Sequence, residues 1–327
     1  MVATFIPPRP LQNPHVQTIL ASLAPRKVAA TLRASKLRRD SKEHILNCGN
    51  GVRLLGAISQ NKNNTNGLVT LIHGWEGSIN SAYLLSAASV LYEQGFNIFR
   101  LNLRDHGKSH HLNKALFNST RLDEVVQAVA EIQHLFPHDH QFLAGFSLGG
   151  NFALRIGLQA ATAKLHLTKI ATISPLIDPV AATTSLEEQH PVYHRYFVRK
   201  WKRSLRKKIH YYPDVDDQQA LLRLHSLSQM HDYFVPRHTE HPTTHAYLSA
   251  YKLSKQQLAS LEVPTHIICS TDDPITAMLA GDLSALSPTL EVEQVTYGGH
   301  CGFLQDYRLT SWADQRLVHI FQTAISS

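Results

Sequence analysis

Residues 143–151 constrain this chain more than any other stretch. Gly145, Phe146, Ser147, Leu148 and Gly149 form a G-x-S-x-G pattern, and Gly150 and Asn151 follow. A short apolar run, 141–144, leads in and a helix-like run, 152–163, leads out. A serine held there sits on a nucleophile elbow, a strand-to-helix turn so sharp that its own backbone is strained and side chains two residues to either side would collide. Gly145 and Gly149 are then steric requirements. Gly150 lets the start of the helix lie close to the strand.

The surrounding pattern alternates. Residues 67–73 and 96–103 read as buried strands and 80–94 as a helix. Residues 121–136 read as a second helix, with Leu122, Val125, Val126, Val129, Ile132 and Leu135 on one face. Residues 169–176 continue the series. Such alternation predicts an α/β fold with a mostly parallel central sheet flanked by helices, and with active loops at the carboxyl ends of the strands. Before it, residues 43–48 and 51–59 predict an antiparallel hairpin turning at Gly49, Asn50 and Gly51, with a polar loop over 60–66. From 178 to 262 the rhythm breaks into a stretch rich in His, Tyr, Arg and Lys, read as a helical lid inserted between two strands. A strand at 263–269, a helix at 277–286, a strand at 291–297 and a helix at 312–324 complete the pattern. The division expected is an N-terminal arm at 1–40 with one short helix lying over the body, a first core part at 41–177, the lid at 178–262 and a second core part at 263–327.

A serine hydroxyl needs a base to take its proton, and the base needs an orienting carboxylate. On this kind of sheet they follow the serine in the order acid, then histidine. His300 lies in the last strand-to-helix loop between Gly299 and Gly302, where glycines give the imidazole freedom to swing over Ser147. Asp272 and Asp273 follow the strand ending near Cys269, and either can supply the acid. Asp273, three residues past Ser270, is the expected one, with Asp272 capping the turn or the next helix. The oxyanion donors expected are the backbone N–H groups of Leu148, just after the nucleophile, and of Trp75, in the tight turn after His73 and Gly74. The loop of Arg104, Asp105 and His106 precedes the serine, so chain order makes it a supporting loop that shapes the pocket floor.

With these residues placed, the chain resembles the α/β-hydrolase superfamily and, more narrowly, the YheT-like esterases related to ABHD phospholipase-type hydrolases. The narrower likeness rests on residues 13–20 (beginning Asn13, Pro14, His15), on 145–151, on Asp272 to Ile275 and on 297–303. It implies carboxylic ester hydrolysis by Ser147, Asp273 and His300 through an acyl-enzyme, without a cofactor. The substrates implied are short- to medium-chain acyl or lipid esters. Asp105 stands where the wider superfamily usually has glycine, and Ala277 where a proline often follows the acid loop. An acyltransferase on the same triad, or a non-catalytic binding protein with a basic lid, are the alternative readings.

Composition bounds partners and compartment. The 327 residues are 43% hydrophobic, and no apolar run reaches eighteen residues. The N-terminus lacks the basic-then-apolar order of a signal peptide, so a soluble, cytoplasmic protein is expected. Three cysteines without paired spacing, Cys48, Cys269 and Cys301, fit reduced thiols. The 21 histidines are scattered without ligand spacing, so no metal is expected. A net charge of +7 invites an anionic partner. Between 197 and 209, Phe197, Trp201, Leu205 and Ile209 recur every four residues among Arg199, Lys200, Lys202, Arg203, Arg206, Lys207 and Lys208. That spacing predicts a lid helix with a solvated basic face, able to contact an anionic membrane. Aromatics are not interleaved with the basic residues as base-stacking platforms, which argues against nucleic acid.

Overall fold

The elbow becomes a physical turn because β5 (Gln141–Phe146) is followed without a linker by a helix at Leu148–Gln159. This computed structural model describes residues 5–61, 66–214, 217–276 and 287–326. Among the described residues, three α-helices precede the sheet, α1 (Pro14–Leu20), α2 (Ala24–Arg33) and α3 (Ser35–Arg39). The N-terminal segment is thus more helical than the single short helix expected. Its Ala-, Lys- and Arg-rich sequence favours helix, and Ala30, Ala34 and Leu37 are buried in one cluster with Ala82, Leu85 and Ala88.

The eight strands β1 (Ser41–Asn47), β2 (Arg53–Ser59), β3 (Leu68–Ile72), β4 (Asn97–Leu101), β5, β6 (Lys169–Ile173), β7 (Thr265–Ser270) and β8 (Leu290–Val295) form one sheet in the order β1-β2-β4-β3-β5-β6-β7-β8. The β1–β2 and β2–β4 pairs are antiparallel and every pair from β4 to β8 is parallel. Gly49, Asn50 and Gly51 all take positive φ in the β1–β2 turn. Strand order reverses around β3, with β4 on one side and β5 on the other. That reversal opens a crevice at their carboxyl ends. His73 leaves β3 there and Ser147 leaves β5.

Strand alternation sorts the core into two layers. Val69 and Leu71 of β3, with Phe142, Ala144 and Phe146 of β5, pack in a cluster with α4 (Ala82–Glu93). Leu68, Ile72 and Leu143 face a second cluster that includes α5 (Leu122–Leu135) and α6 (Leu148–Gln159). Between β6 and β7 lie α7 (Pro179–Glu188), α8 (Pro191–Tyr211), α9 (Asp217–Leu221), α10 (Leu227–His238), α11 (Thr244–Ala250) and α12 (Lys255–Ala259). Buried side chains of α8, α10 and α11, among them Trp201, Leu205, Phe234 and Tyr247, join the second cluster. The final α13 (Trp312–Ser326) packs with α4. The helix expected at 277–286, and Ala277 with it, lies outside the described residues.

Candidate active site

Ser147 takes φ 54° and ψ −119°, a left-handed conformation that a side-chain-bearing residue rarely adopts. Its N–H donates to the Ile173 carbonyl and its own carbonyl accepts from Leu176 N–H, which fixes the strained peptide on both sides. A Cβ at residue 145 would lie 2.1 Å from the Gly149 carbonyl oxygen. One at 149 would lie 2.4 Å from the oxygen of Ile72. Both glycines are therefore required by backbone contact.

The structure brings Ser147, Asp273 and His300 together. His300 Nε2 is 2.9 Å from Ser147 Oγ, and His300 Nδ1 is 2.9 Å from Asp273 Oδ2. Asp273 is oriented by its neighbours: Oδ1 accepts from the N–H groups of Ile275 and Thr276, and Oδ2 from the Thr276 hydroxyl. The capping role expected of Asp272 thus falls to Asp273. Asp272 instead accepts the N–H of Gly299 and ties the acid loop to the histidine loop. Burial would lower the His300 pKa, but the Asp273 carboxylate and the neighbouring Cys301 more than offset it, and the ring lies well above 6.5.

The histidine loop is not free to swing. His300 N–H donates to Thr18 Oγ1 of α1 at 2.9 Å, and Leu304 N–H donates to Gln17 Oε1 at 2.7 Å. Sequence reasoning marked residues 13–20 but assigned them no contact with the site. Tyr83 was also missed; its hydroxyl accepts the N–H of Gly74 and lines the cavity over Ser147.

Two buried histidines brace the loops beside the serine. The His73 ring joins the Gly74 carbonyl at Nδ1 and accepts Leu103 N–H at Nε2. His106 joins the Arg104 carbonyl at Nδ1 and accepts Glu76 N–H at Nε2. Burial keeps both neutral, moving His73 to about 4 and His106 well below its usual value. Arg104 pairs with Glu124, and Asp105 accepts the N–H of Phe117 and the ammonium of Lys208. This loop therefore braces its surroundings and touches neither Ser147 nor His300 through a hydrogen bond. Among the described residues, the N–H groups of Trp75 and Leu148 have no acceptor, and both residues line the cavity with Ser147.

That cavity has a volume of about 550 Å³. The Trp75 ring stacks on Phe197 at 5.3 Å and meets Trp201 edge-on at 5.6 Å, which makes an aromatic wall from the β3 loop and α8. Lys27, Lys200, Arg203 and Lys207 line the same cavity, as does Glu76. Burial raises the Glu76 carboxyl to about 8 although Lys200 and Lys207 oppose it. Lys208 departs from the solvated basic face expected of α8. It is fully buried against Asp105, because it follows Leu205 by three residues and Trp201 by seven and so lies on the apolar stripe.

Residues 67–307 match the alpha/beta hydrolase fold family. The chain belongs to this family. Two relatives extend the likeness of this alpha/beta hydrolase. An Escherichia coli (strain K12) protein named "Putative esterase YheT" is 24% identical over 326 residues, which cover 96% of this chain and 92% of that protein. Mouse phospholipase ABHD3 is 22% identical over 241 residues, 72% of this chain but 58% of that protein. Among solved structures, Est1E from Butyrivibrio proteoclasticus with ferulic acid bound superposes with a TM-score of 0.58 at 18% identity, covering 87% of this chain and all of Est1E. At that identity the likeness is one of fold.

Proposed function

We propose that this alpha/beta hydrolase cleaves carboxylic esters by nucleophilic catalysis at Ser147, with His300 as general base and Asp273 as the carboxylate that orients it. The observation that supports it most is the unbroken relay at 2.9 Å from Ser147 Oγ to His300 Nε2 and from His300 Nδ1 to Asp273, opening on a cavity. With the Nδ1 proton directed to Asp273, a neutral imidazole accepts the Ser147 proton at Nε2 as Oγ attacks the ester carbonyl carbon. The carbonyl π electrons move onto oxygen, where the N–H groups of Trp75 and Leu148 are free to receive them. Collapse expels the alkoxide, which takes the proton from His300. Water, deprotonated by the same ring, then releases the acid from the acyl-enzyme and restores the serine.

The cavity volume falls in the range of small-molecule sites, about 300–1,000 Å³, and its aromatic wall suits an acyl chain. Short- to medium-chain acyl or lipid esters are the substrate class this supports. The cations of α8 that line it, Lys200, Arg203 and Lys207, support docking of α8 on an anionic membrane as the source of lipid esters. Three buried, unpaired thiols, Cys48, Cys269 and Cys301, fit a reducing compartment such as the cytoplasm. Among the described residues, no helix is long and apolar enough to cross a membrane.

The test is covalent labelling by a fluorophosphonate together with turnover of p-nitrophenyl esters of graded chain length. Labelling and turnover are expected in the unmodified protein and absent in Ser147→Ala. Folded protein that neither labels nor turns over any ester would falsify the proposal.

A further inference from the structure

We propose that α1 belongs to the hydrolytic apparatus, with Thr18 and Gln17 as positioning residues that fix the His300 loop; this rests on the triad reading above. The loop needs an external hold. Gly299, Cys301 and Phe303 all have positive φ, of 52°, 59° and 47°, and two of the three carry side chains that disfavour that conformation. Strain of this kind persists only where the surroundings over-determine it.

Asp272 and Ser270 hold Gly299 from the acid loop, and side chains of α1 hold His300 and Leu304 from the other side. Asn13 caps this helix by accepting the N–H groups of His15 and Val16. The Thr18 hydroxyl spends its only proton on the Pro14 carbonyl at 2.7 Å, so its oxygen presents a lone pair to His300 N–H. Gln17 is fully buried. Its Nε2 donates to the carbonyls of Leu11 and Leu304 at 2.7 and 3.0 Å, while its Oε1 accepts Leu304 N–H. The side-chain amide thus grips Leu304 from both sides, as a neighbouring strand would. Contact is close enough to dictate sequence on the opposite side. A Cβ at 299 would lie 2.6 Å from the Pro14 oxygen and 2.7 Å from Thr18 Oγ1, and one at 302 would lie 2.8 Å from Gln17 Oε1. The glycines flanking His300 therefore admit α1, where sequence reasoning took them as a source of motion. On its outer side α1 reaches the helical insertion, with His15 Nδ1 2.8 Å from the Tyr193 hydroxyl.

A residue that only stabilises the fold and one that aims the base differ in what their loss does. Aim is a matter of fractions of an ångström, and a misplacement of about 1 Å costs on the order of a hundredfold in rate. In Thr18→Val, which keeps shape but removes the acceptor, kcat on a p-nitrophenyl ester is expected to fall by about tenfold or more. KM should stay within about twofold, and the acidic limb of the pH profile should move down toward 6.5 as the ring loosens from Asp273. Thr18→Ser keeps the hydroxyl and should restore all three. Ser89→Ala, which removes the bond from α4 to the Arg33 carbonyl of α2 in the same N-terminal segment, is the stability control and should leave kcat unchanged.

Folded Thr18→Val with unaltered kcat and pH profile overturns the inference. Should that variant fail to fold, hydrogen exchange in the unmodified protein decides: the His300 and Leu304 amides should exchange slowly, and exchange at the rate of an open loop overturns it as well. Turnover that survives intact in Ser147→Ala sinks the triad reading itself. Turnover lost in Ser147→Ala but unmoved in Thr18→Val sinks only the role of α1.

Discussion

Lys208 Nζ lies 2.6 Å from Asp105 Oδ1, and both side chains are shielded from solvent. The ammonium also donates to the carbonyls of His110 and Asn113, so α8 is stapled to the loops below the cavity by one buried cation. Burial opposes the charge on both partners, raising the Asp105 carboxyl and lowering the Lys208 ammonium, while each counteracts the effect on the other. Removing one partner leaves a buried charge uncompensated, at a cost of about 3–5 kcal/mol. Lys208→Ala is therefore expected to lower the denaturation midpoint sharply. The double variant Asp105→Asn, Lys208→Met should recover most of the loss, and equal instability of the single and double variants would show that the pair is not what joins α8 to the core.

On the proposed mechanism, the pH dependence of turnover follows from His300. Its pKa is raised, so the neutral ring that can accept a proton from Ser147 accumulates only above the usual 6.5. The acidic limb of kcat/KM is expected to have its midpoint above 6.5. Stability runs the other way. A raised histidine pKa contributes stability that is fully present below 6.5 and is lost as pH rises through the folded value. Asp273→Asn should cut kcat by about 10⁴ and bring the limb down. An unshifted limb in that variant would argue that Asp273 does not act on the ring.

How much of this was legible in the sequence depends on the range of the force involved. The elbow follows from backbone contacts within a few residues of Ser147, so Gly145 and Gly149 declare it locally. The positions of Asp273 and His300 follow from chain order on a parallel sheet, which makes loops after successive strands converge. Thr18 and Gln17 act on backbone 282 and 287 positions away through side-chain hydrogen bonds that leave no periodic trace. Lys208 hid among solvated cations because charge suggested exposure while its spacing from Trp201 and Leu205 placed it inward. The helical character of α2 was missed because the segment was read as an arm with one short helix, although its Ala, Lys and Arg residues favour more.

The cations of α8 that line the cavity are separable from the buried one. Lys200, Arg203 and Lys207 line the cavity, whereas Lys208 holds the fold. The triple variant Lys200→Gln, Arg203→Gln, Lys207→Gln should stay folded and lose binding to vesicles containing anionic lipid by roughly 1 kcal/mol per residue removed. Its turnover of a soluble p-nitrophenyl ester should remain near that of the unmodified protein. Sedimentation with anionic vesicles at low and high salt is the measurement, and binding that survives in the variant rules out Lys200, Arg203 and Lys207 as the docking contacts.

Gly149 tests the elbow without touching a reacting group. Its Cα approaches the carbonyls of Ile72 and His73 so closely that an added Cβ would lie 2.4 and 2.5 Å from their oxygens. Neither acceptor can retreat, since both belong to backbone where β3 passes into the loop bearing Trp75. Relief must come from moving the start of α6, which carries the Leu148 N–H, or from tilting β3 and the Trp75 turn. Either movement shifts the Trp75 and Leu148 N–H groups, the oxyanion donors of the proposed mechanism, relative to each other and displaces Ser147 Oγ from His300. Gly149→Ala is expected to lose fluorophosphonate labelling by about a hundredfold and to unfold at lower denaturant than Ser147→Ala, which adds no atom and removes only the hydroxyl that meets His300. Equal labelling rates for Gly149→Ala and the unmodified protein would mean that the close approach of α6 to β3 does not govern the geometry of the serine.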